Sequence, residues 1–218
     1  MLGLNFGAGA PARLLCLGAH ADDIEIGCGG TVLRLAAEHP GMSIRWVVFS
    51  AAESPEDRRR EAETSAGHFV AGIADAQVTI LRFRDGFFPS QHAEIKEAFE
   101  QLKRDYQPSL ILTHHREDLH QDHRIVSELT LNTFRNHLIW EYEIPKYDGD
   151  FGNPNLFVPL DRELAQRKAA ALLDYFPSQR KRAWFTPDTF LALMRLRGIG
   201  CNAPSGLAEG FYCRKAVI

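Results

Sequence analysis

The sequence predicts an α/β fold: a mostly parallel sheet with helices on both faces. Three observations predict it. Short apolar runs alternate with amphipathic stretches from residue 13 to about residue 134, the pattern of successive right-handed βαβ units. The first run, Arg13 to Gly18, is apolar beyond its first residue, as in a strand covered on both faces. Two clusters of histidine and acid follow the first and fourth runs. In a doubly wound sheet those two strands commonly lie side by side, and ligands bind beyond their carboxyl ends.

In chain order, the first strand gives way to a loop through His20–Glu25, and Gly27-Cys28-Gly29-Gly30 leads into a helix over Thr31–Glu38. Pro40-Gly41 closes it, as expected just past a helix C-terminus. Ser43–Phe49 is the second strand. Ser54-Pro55-Glu56-Asp57 reads as a helix start, with a cap, a proline at the first position and acids in the first turn. That helix runs to about Ala71, where Gly72 ends it. Gln77–Phe83 is the third strand, and Asp85-Gly86 the turn after it. Glu94–Tyr106 is helical, with Ile95, Ala98, Phe99 and Leu102 on one stripe. Leu110–Thr113 is the fourth strand, and a helix follows His120 to about Phe134. A fifth strand is expected near Ile139, then a turn-rich segment over Asp148–Pro159. Helices over Asp161–Tyr175 and from Pro187 to about Arg197 precede a last strand at Phe211–Ile218. Residues 1–12, small and uncharged, read as a flexible leader, and residues 13–218 as one domain.

The 218 residues suffice for a sizeable core. A net charge of -3 makes no case for nucleic-acid or anionic-membrane binding. The run Arg58-Arg59-Arg60 is balanced by Glu53, Glu56, Asp57, Glu61 and Glu63. No apolar stretch approaches the ~20 residues of a membrane span. Cys16, Cys28, Cys201 and Cys213 form no CxxC pair, so a reducing cytoplasm is expected. A small-molecule substrate is the expected partner, with homo-oligomerisation left open.

The clusters carry the chemistry. His20, Asp22, Asp23 and Glu25 fall within six positions, and His120-Gln121-Asp122-His123-Arg124 follows 100 residues later. Two histidines and one carboxylate leave a coordination position open, the mark of a catalytic zinc site. His20, Asp23 and His123 are the expected ligands, for zinc or another first-row divalent ion. Asp22 is placed to take a proton from water acidified by the ion. His120 can donate to an oxyanion or leaving amine, and Asp122 or Asp118 can orient an imidazole. Gly27, Gly29 and Gly30 suit either a phosphate-binding turn or close helix–strand packing, and packing is favoured.

Ala19-His20-Ala21-Asp22-Asp23-Ile24-Glu25 resembles the (A/P)HPDDxE motif of the PIG-L/LmbE-like N-acetylsugar deacetylases, and His120–Arg124 resembles that family's HPDHR. Arg58-x-x-Glu61, Asp85-Gly86, Ser178-Gln179 and Leu207-Ala208-Glu209-Gly210-Phe211 match as well, over a span of about residues 13–213. Ala21 and Gln121 replace the usual prolines. The resemblance implies a Rossmann-like fold and zinc-dependent removal of an acyl group, usually acetyl, from an amino sugar. It implies His20, Asp23 and His123 as ligands, Asp22 as general base, His120 as stabiliser of the tetrahedral intermediate, and Asp122 as the partner orienting His120.

Arg58 and Asp85, on the ligand side of the sheet, can hydrogen-bond sugar hydroxyls; the plain alternative is an exposed helix charge and a turn residue. Tyr142, Lys146 and Tyr147 can wall the pocket or pack on the core. Gln179-Arg180-Lys181-Arg182 can meet a phosphate, but a solvated turn is favoured. Two other functions stand beside the deacetylase: a metal-dependent amidase acting on a non-sugar N-acyl compound or thiol conjugate, and a non-catalytic nucleotide-binding module resting on the glycines.

Overall fold

A computed structural model describes residues 13–51 and 56–217. The leader at residues 1–12 and the helix start at Ser54-Pro55 lie outside the described residues. Seven strands form one sheet: β1 (Arg13–His20), β2 (Ser43–Ser50), β3 (Asp75–Ile80), β4 (Leu110–His114), β5 (Leu138–Tyr142), β6 (Leu156–Pro159) and β7 (Ala208–Cys213). Their order is β3-β2-β1-β4-β5-β7-β6. β1 to β5 are mutually parallel, and β7 runs antiparallel to both β5 and β6. β1 therefore lies beside β4, with Leu14 opposite Leu110 and Cys16 opposite Leu112.

Alternation along the strands builds two cores. Leu14 and Cys16 of β1, Ile44, Trp46 and Val48 of β2, and Leu112 of β4 point to one face. There they meet α1 (Asp23–Glu38), α2 (Glu56–Phe69), α5 (Arg162–Tyr175) and α6 (Pro187–Gly200). Leu15, Leu17, Val47, Phe49 and Ile111 point to the other, against α3 (His92–Asp105) and α4 (Gln121–Thr133). The expected α/β arrangement, Rossmann-like and covered on both faces, is what the chain adopts.

Differences from the sequence reading have physical causes. α1 starts at Asp23, eight residues before the expected Thr31, so the glycines lie inside it. Glycine is a poor helix former, but a Cβ on Gly27 would sit 2.1 Å from the Tyr142 ring, and one on Gly29 2.6 Å from Phe69. Packing demands the glycines and overrides propensity. β6, read as a turn-rich segment, is an edge strand ending in Pro159, a position where proline forfeits no ladder bond. β7 starts at Ala208 rather than Phe211, and β3 ends at Ile80 rather than Phe83.

A buried ion pair ties α1 to the last strand. Glu209 of β7 meets Lys168 of α5 at 2.6 Å, with both side chains 3% exposed. Glu209 also accepts the backbone N–H groups of Gly30 and Thr31, while Lys168 donates to the Ile26 carbonyl. Ile26 and Gly30 are the i,i+4 partners of a regular helix, and the ion pair reaches both.

Candidate metal centre and cleft

The adjacency of β1 and β4 brings the two clusters together. β1 ends at His20, and α1 starts three residues later with Asp23 in its first turn. His123 lies in the first turn of α4, capped by His120. Nδ1 of His20 is 3.2 Å from Nε2 of His123 and 3.3 Å from Oδ2 of Asp23; Nε2 of His123 is 3.5 Å from Oδ1 of Asp23. A tetrahedral zinc ion with bonds of about 2.0–2.1 Å spaces its ligand atoms about 3.3 Å apart. These three spacings, two of which use different oxygens of Asp23, are close to that value.

Each imidazole has a carboxylate behind it. His123 Nδ1 lies 2.9 Å from Asp118 Oδ2, and His20 Nε2 lies 3.3 Å from Asp122 Oδ2 and 3.1 Å from Asp85 Oδ1. The Asp122 carboxylate thus bonds toward His20, whereas the resemblance set it beside His120. Its oxygens receive the Gly86 and Phe88 N–H groups and face the His20 ring, because the first turn of α4 aims it across the cluster. His120 instead uses Nδ1 to accept the Asp122 backbone N–H at 3.3 Å. A neutral imidazole so bonded carries its proton on Nε2.

Sequence reasoning missed His114. It is fully buried at the end of β4, with Nε2 3.2 Å from Asp23 Oδ2 and its ring stacked on His123 at 3.9 Å between centroids. Its strand-terminal position was a signal, since strand ends deliver site residues in this topology. Three sets have donor atoms close enough to share an ion: His20, His120 and His123; Asp23, His114 and His123; and His20, Asp85 and Asp122.

Burial works to raise the Asp23 carboxyl, but His123, His114 and His20 hold it well below the usual carboxylate range. Burial favours neutral His20, yet Asp23, Asp122 and Asp85 carry its pKa well above the ordinary value. Burial and His114 push His123 down to about 4. Asp22 goes up because of burial, against the pull of Arg58. His120 goes down through burial and the nearby His20. Neighbouring groups of this one cluster are thus shifted in opposite directions.

A cleft of about 360 Å³ opens over the cluster. Asp22, Arg58, Asp85 and His120 line it, as do Lys146, Tyr147, Asp148, Gln179, Arg182 and Trp184. Arg58 is not the free helix charge of the plain reading: it meets Asp22 at 3.3 Å, Glu61 at 3.1 Å and Ser178 at 3.2 Å. Asp85 is 3.1 Å from His20 and its side chain is 64% exposed, so it faces both ligand cluster and solvent. Tyr142 is no wall residue. It is buried beside Gly27 and donates to the Leu17 carbonyl. Lys146 lines the cleft and meets Asp118 at 3.1 Å. Gln179 and Arg182 belong to the lining rather than to a wholly solvated turn. Glu25, whose part the sequence left open, lies beneath the site; Ser65 donates to it at 2.6 Å, and burial pushes its carboxyl up to about 8.

The sequence profile of the GlcNAc-PI de-N-acetylase family, PIG-L, matches residues 15–134. The uncharacterized deacetylase YaiS of Escherichia coli (strain K12) is 30% identical over 165 residues, covering 73% of this chain and 88% of YaiS. Among solved structures, N,N'-diacetylchitobiose deacetylase from Pyrococcus horikoshii superposes with a TM-score of 0.73 at 20% identity, covering 95% of this chain and 87% of that one. GalB, the 4-carboxy-2-hydroxymuconate hydratase from Pseudomonas putida KT2440, reaches 0.69 at 15% identity over 95% and 98%. At such identities the superpositions establish a shared fold, and a fold hosts more than one chemistry. The sequence matches go further, and with them the chain belongs to the PIG-L family of deacetylases.

Proposed function

We propose that the chain is a metal-dependent hydrolase that removes the acetyl group from the amide nitrogen of an N-acetylated amino sugar or sugar conjugate. The observation that carries this reading is that His20, Asp23 and His123 gather with contacts of 3.2, 3.3 and 3.5 Å, and that Asp22 and His120 line the same cleft. Zinc held there would supply Lewis acidity toward the amide carbonyl and water.

The protein groups divide the remaining work. Asp22, its carboxyl raised by burial, accepts a proton from the attacking water. His120, with its proton on Nε2, donates to the oxygen that gains charge and serves the departing amine. The water oxygen joins the acetyl carbon, the proton held by Asp22 passes to the nitrogen as the C–N bond breaks, and the products are a free amine and acetic acid, which ionises to acetate. Asp118 and Asp122 hold the two imidazoles in orientation. Arg58, paired with Asp22 and lining the cleft, and Asp85, open to solvent, are the residues set to meet sugar hydroxyls.

The alternatives fare unequally. The nucleotide-binding reading loses its basis because Gly27 and Gly29 are packed against Tyr142 and Phe69, and Glu209 takes the Gly30 N–H. An amidase acting on another N-acyl compound uses the same groups and differs only in the cleft wall. The reading is tested by acetate release from N-acetylated hexosamines and non-sugar N-acyl amines, before and after chelation and zinc restoration. Release from sugars that vanishes with the metal supports it; release confined to non-sugar amides replaces it. Four unpaired cysteines suit the reducing cytoplasm expected for the protein, and no helix among the described residues is long and apolar enough to cross a membrane.

A further inference from the structure

Asp85 hangs between two residues whose backbone groups are taken up by side chains. Arg84, before it, gives its N–H to Gln91 Oε1 and receives Gln91 Nε2 on its carbonyl, both at 3.1 Å. Gly86, after it, gives its N–H to Asp122 Oδ2 at 2.6 Å and receives Gln121 Nε2 on its carbonyl at 2.5 Å. The segment belongs to no strand or helix, so side chains supply the partners that a regular element would have given. Gly86 has a φ of +77°, which a side chain there would strain. The Gln91 bonds close the loop on itself. The Asp122 and Gln121 bonds tie it to α4, the helix that carries His123.

Gln121 is the first residue of α4, directly after the cap His120. Its own N–H has no acceptor within the helix, and proline is favoured at that position for its preset φ. His120 has φ −70° and ψ 123°, the extended backbone that a following proline requires. A proline, the usual residue of the motif that His120–Arg124 resembles, would therefore suit this helix start, yet it has no donor for the Gly86 carbonyl. Glutamine has one. We infer that Gln121 is a positioning residue: with the Asp122 carboxylate it holds both backbone groups of Gly86, and so sets the Asp85 carboxylate between His20 and the cleft. Asp85 Oδ1 is 3.1 Å from His20 Nε2, and its side chain is largely open to solvent on the cleft lining. A side chain so exposed keeps its place only if its backbone is held. The kinetic consequence rests on the deacetylase reading, and the hold on Asp85 does not.

Gln121→Pro and Gln121→Met both remove the donor, the first preserving the helix start and the second the side-chain length. Gln121 is exposed, so neither change disturbs a core. Each is made alone and on top of Asp85→Ala, and three quantities are measured on zinc-loaded protein. They are amide exchange across residues 84–88, the NMR shift of the His20 ring nitrogens, and acetate release from methyl N-acetylglucosaminide. One neutral hydrogen bond is worth about 2- to 10-fold, so each single variant speeds exchange at Gly86 and lowers kcat/KM by that factor, chiefly through KM. Each also moves the His20 signal. In the Asp85→Ala background the same substitutions leave kcat/KM and the His20 signal where they were, because the group they position is gone. Equal losses in both backgrounds, or single variants that match the wild type in exchange and His20 signal, overturn the inference. If the wild type releases no acetate while Gln121→Pro moves the His20 signal only when Asp85 is present, the positioning role stands and the deacetylase reading fails.

Discussion

Asp122 stands 3.3 Å behind the His20 ring, on the side opposite the nitrogen that faces Asp23 and His123. The same carboxylate gathers the N–H groups of Gly86 and Phe88, so one residue of α4 braces both an imidazole from β1 and the loop that carries Asp85. Carboxylates in this position raise ligand basicity and fix ring orientation.

Asp122→Ala should therefore weaken metal affinity by about 10- to 100-fold, read by competition with a chromophoric chelator. The Asp85 oxygen 3.1 Å from the same nitrogen sets the residual hold. A variant with unchanged metal affinity and reduced kcat would instead make Asp122 a partner of His120.

Asp22→Asn should retain stoichiometric zinc and lose about 10²- to 10⁴-fold in kcat, the usual worth of a general base. The carboxylate is not one of the three expected donors, which is why metal content and turnover separate. Metal analysis and acetate release on the same preparation check it, and near-normal turnover would remove Asp22 from the mechanism.

Glu25 makes stability fall as pH rises. Unfolded, it loses its proton at the ordinary 4.5; folded, at about 8. Between those values the unfolded chain binds fewer protons, so stability drops across that window and levels off above it. At pH 7 the penalty is on the order of 3 kcal/mol. Glu25→Gln should raise the Tm of chelator-treated protein at pH 7.5 and change it little at pH 4.5. Zinc bound nearby favours the carboxylate and should shrink the gain. Parallel melting curves at both pH values would contradict this account.

Lys168→Met strands a buried carboxylate and should cost about 3–5 kcal/mol in chemical denaturation. For a simple buried pair, replacing both partners by apolar residues restores much of that loss. Here Glu209→Met on top of Lys168→Met should not, because it also removes the acceptor of the Gly30 and Thr31 N–H groups inside α1. Recovery in the double variant would show that the helix contacts carry no weight.

The gathering of His20, Asp23 and His123 was legible because two local patterns, each a strand followed by histidine and acid, fall on strands that parallel topology makes neighbours. Roles set by long-range geometry were not. His114 looks like the end of an apolar run until β1 lies beside it and sets Asp23 3.2 Å away. The Asp122–His20 contact spans 102 residues, whereas the resemblance set Asp122 beside His120. The glycines hid the start of α1, because propensity is local whereas the Tyr142 ring they accommodate comes from β5. β6 escaped notice because an edge strand tolerates the proline that argues against strands elsewhere.

The pairing of Glu209 with α1 bears on how the chain matures. The carboxylate that caps Thr31 is 178 residues downstream of it. On a ribosome working from the N-terminus, the helix carrying Asp23 is complete long before that carboxylate exists. The segment matching the family profile ends at residue 134, short of both Lys168 and Glu209. A nascent or truncated chain of that length holds His20, Asp23 and His123 but leaves the Gly30 and Thr31 amides without their carboxylate, so the tie between α1 and β7 forms only once the final strand is made.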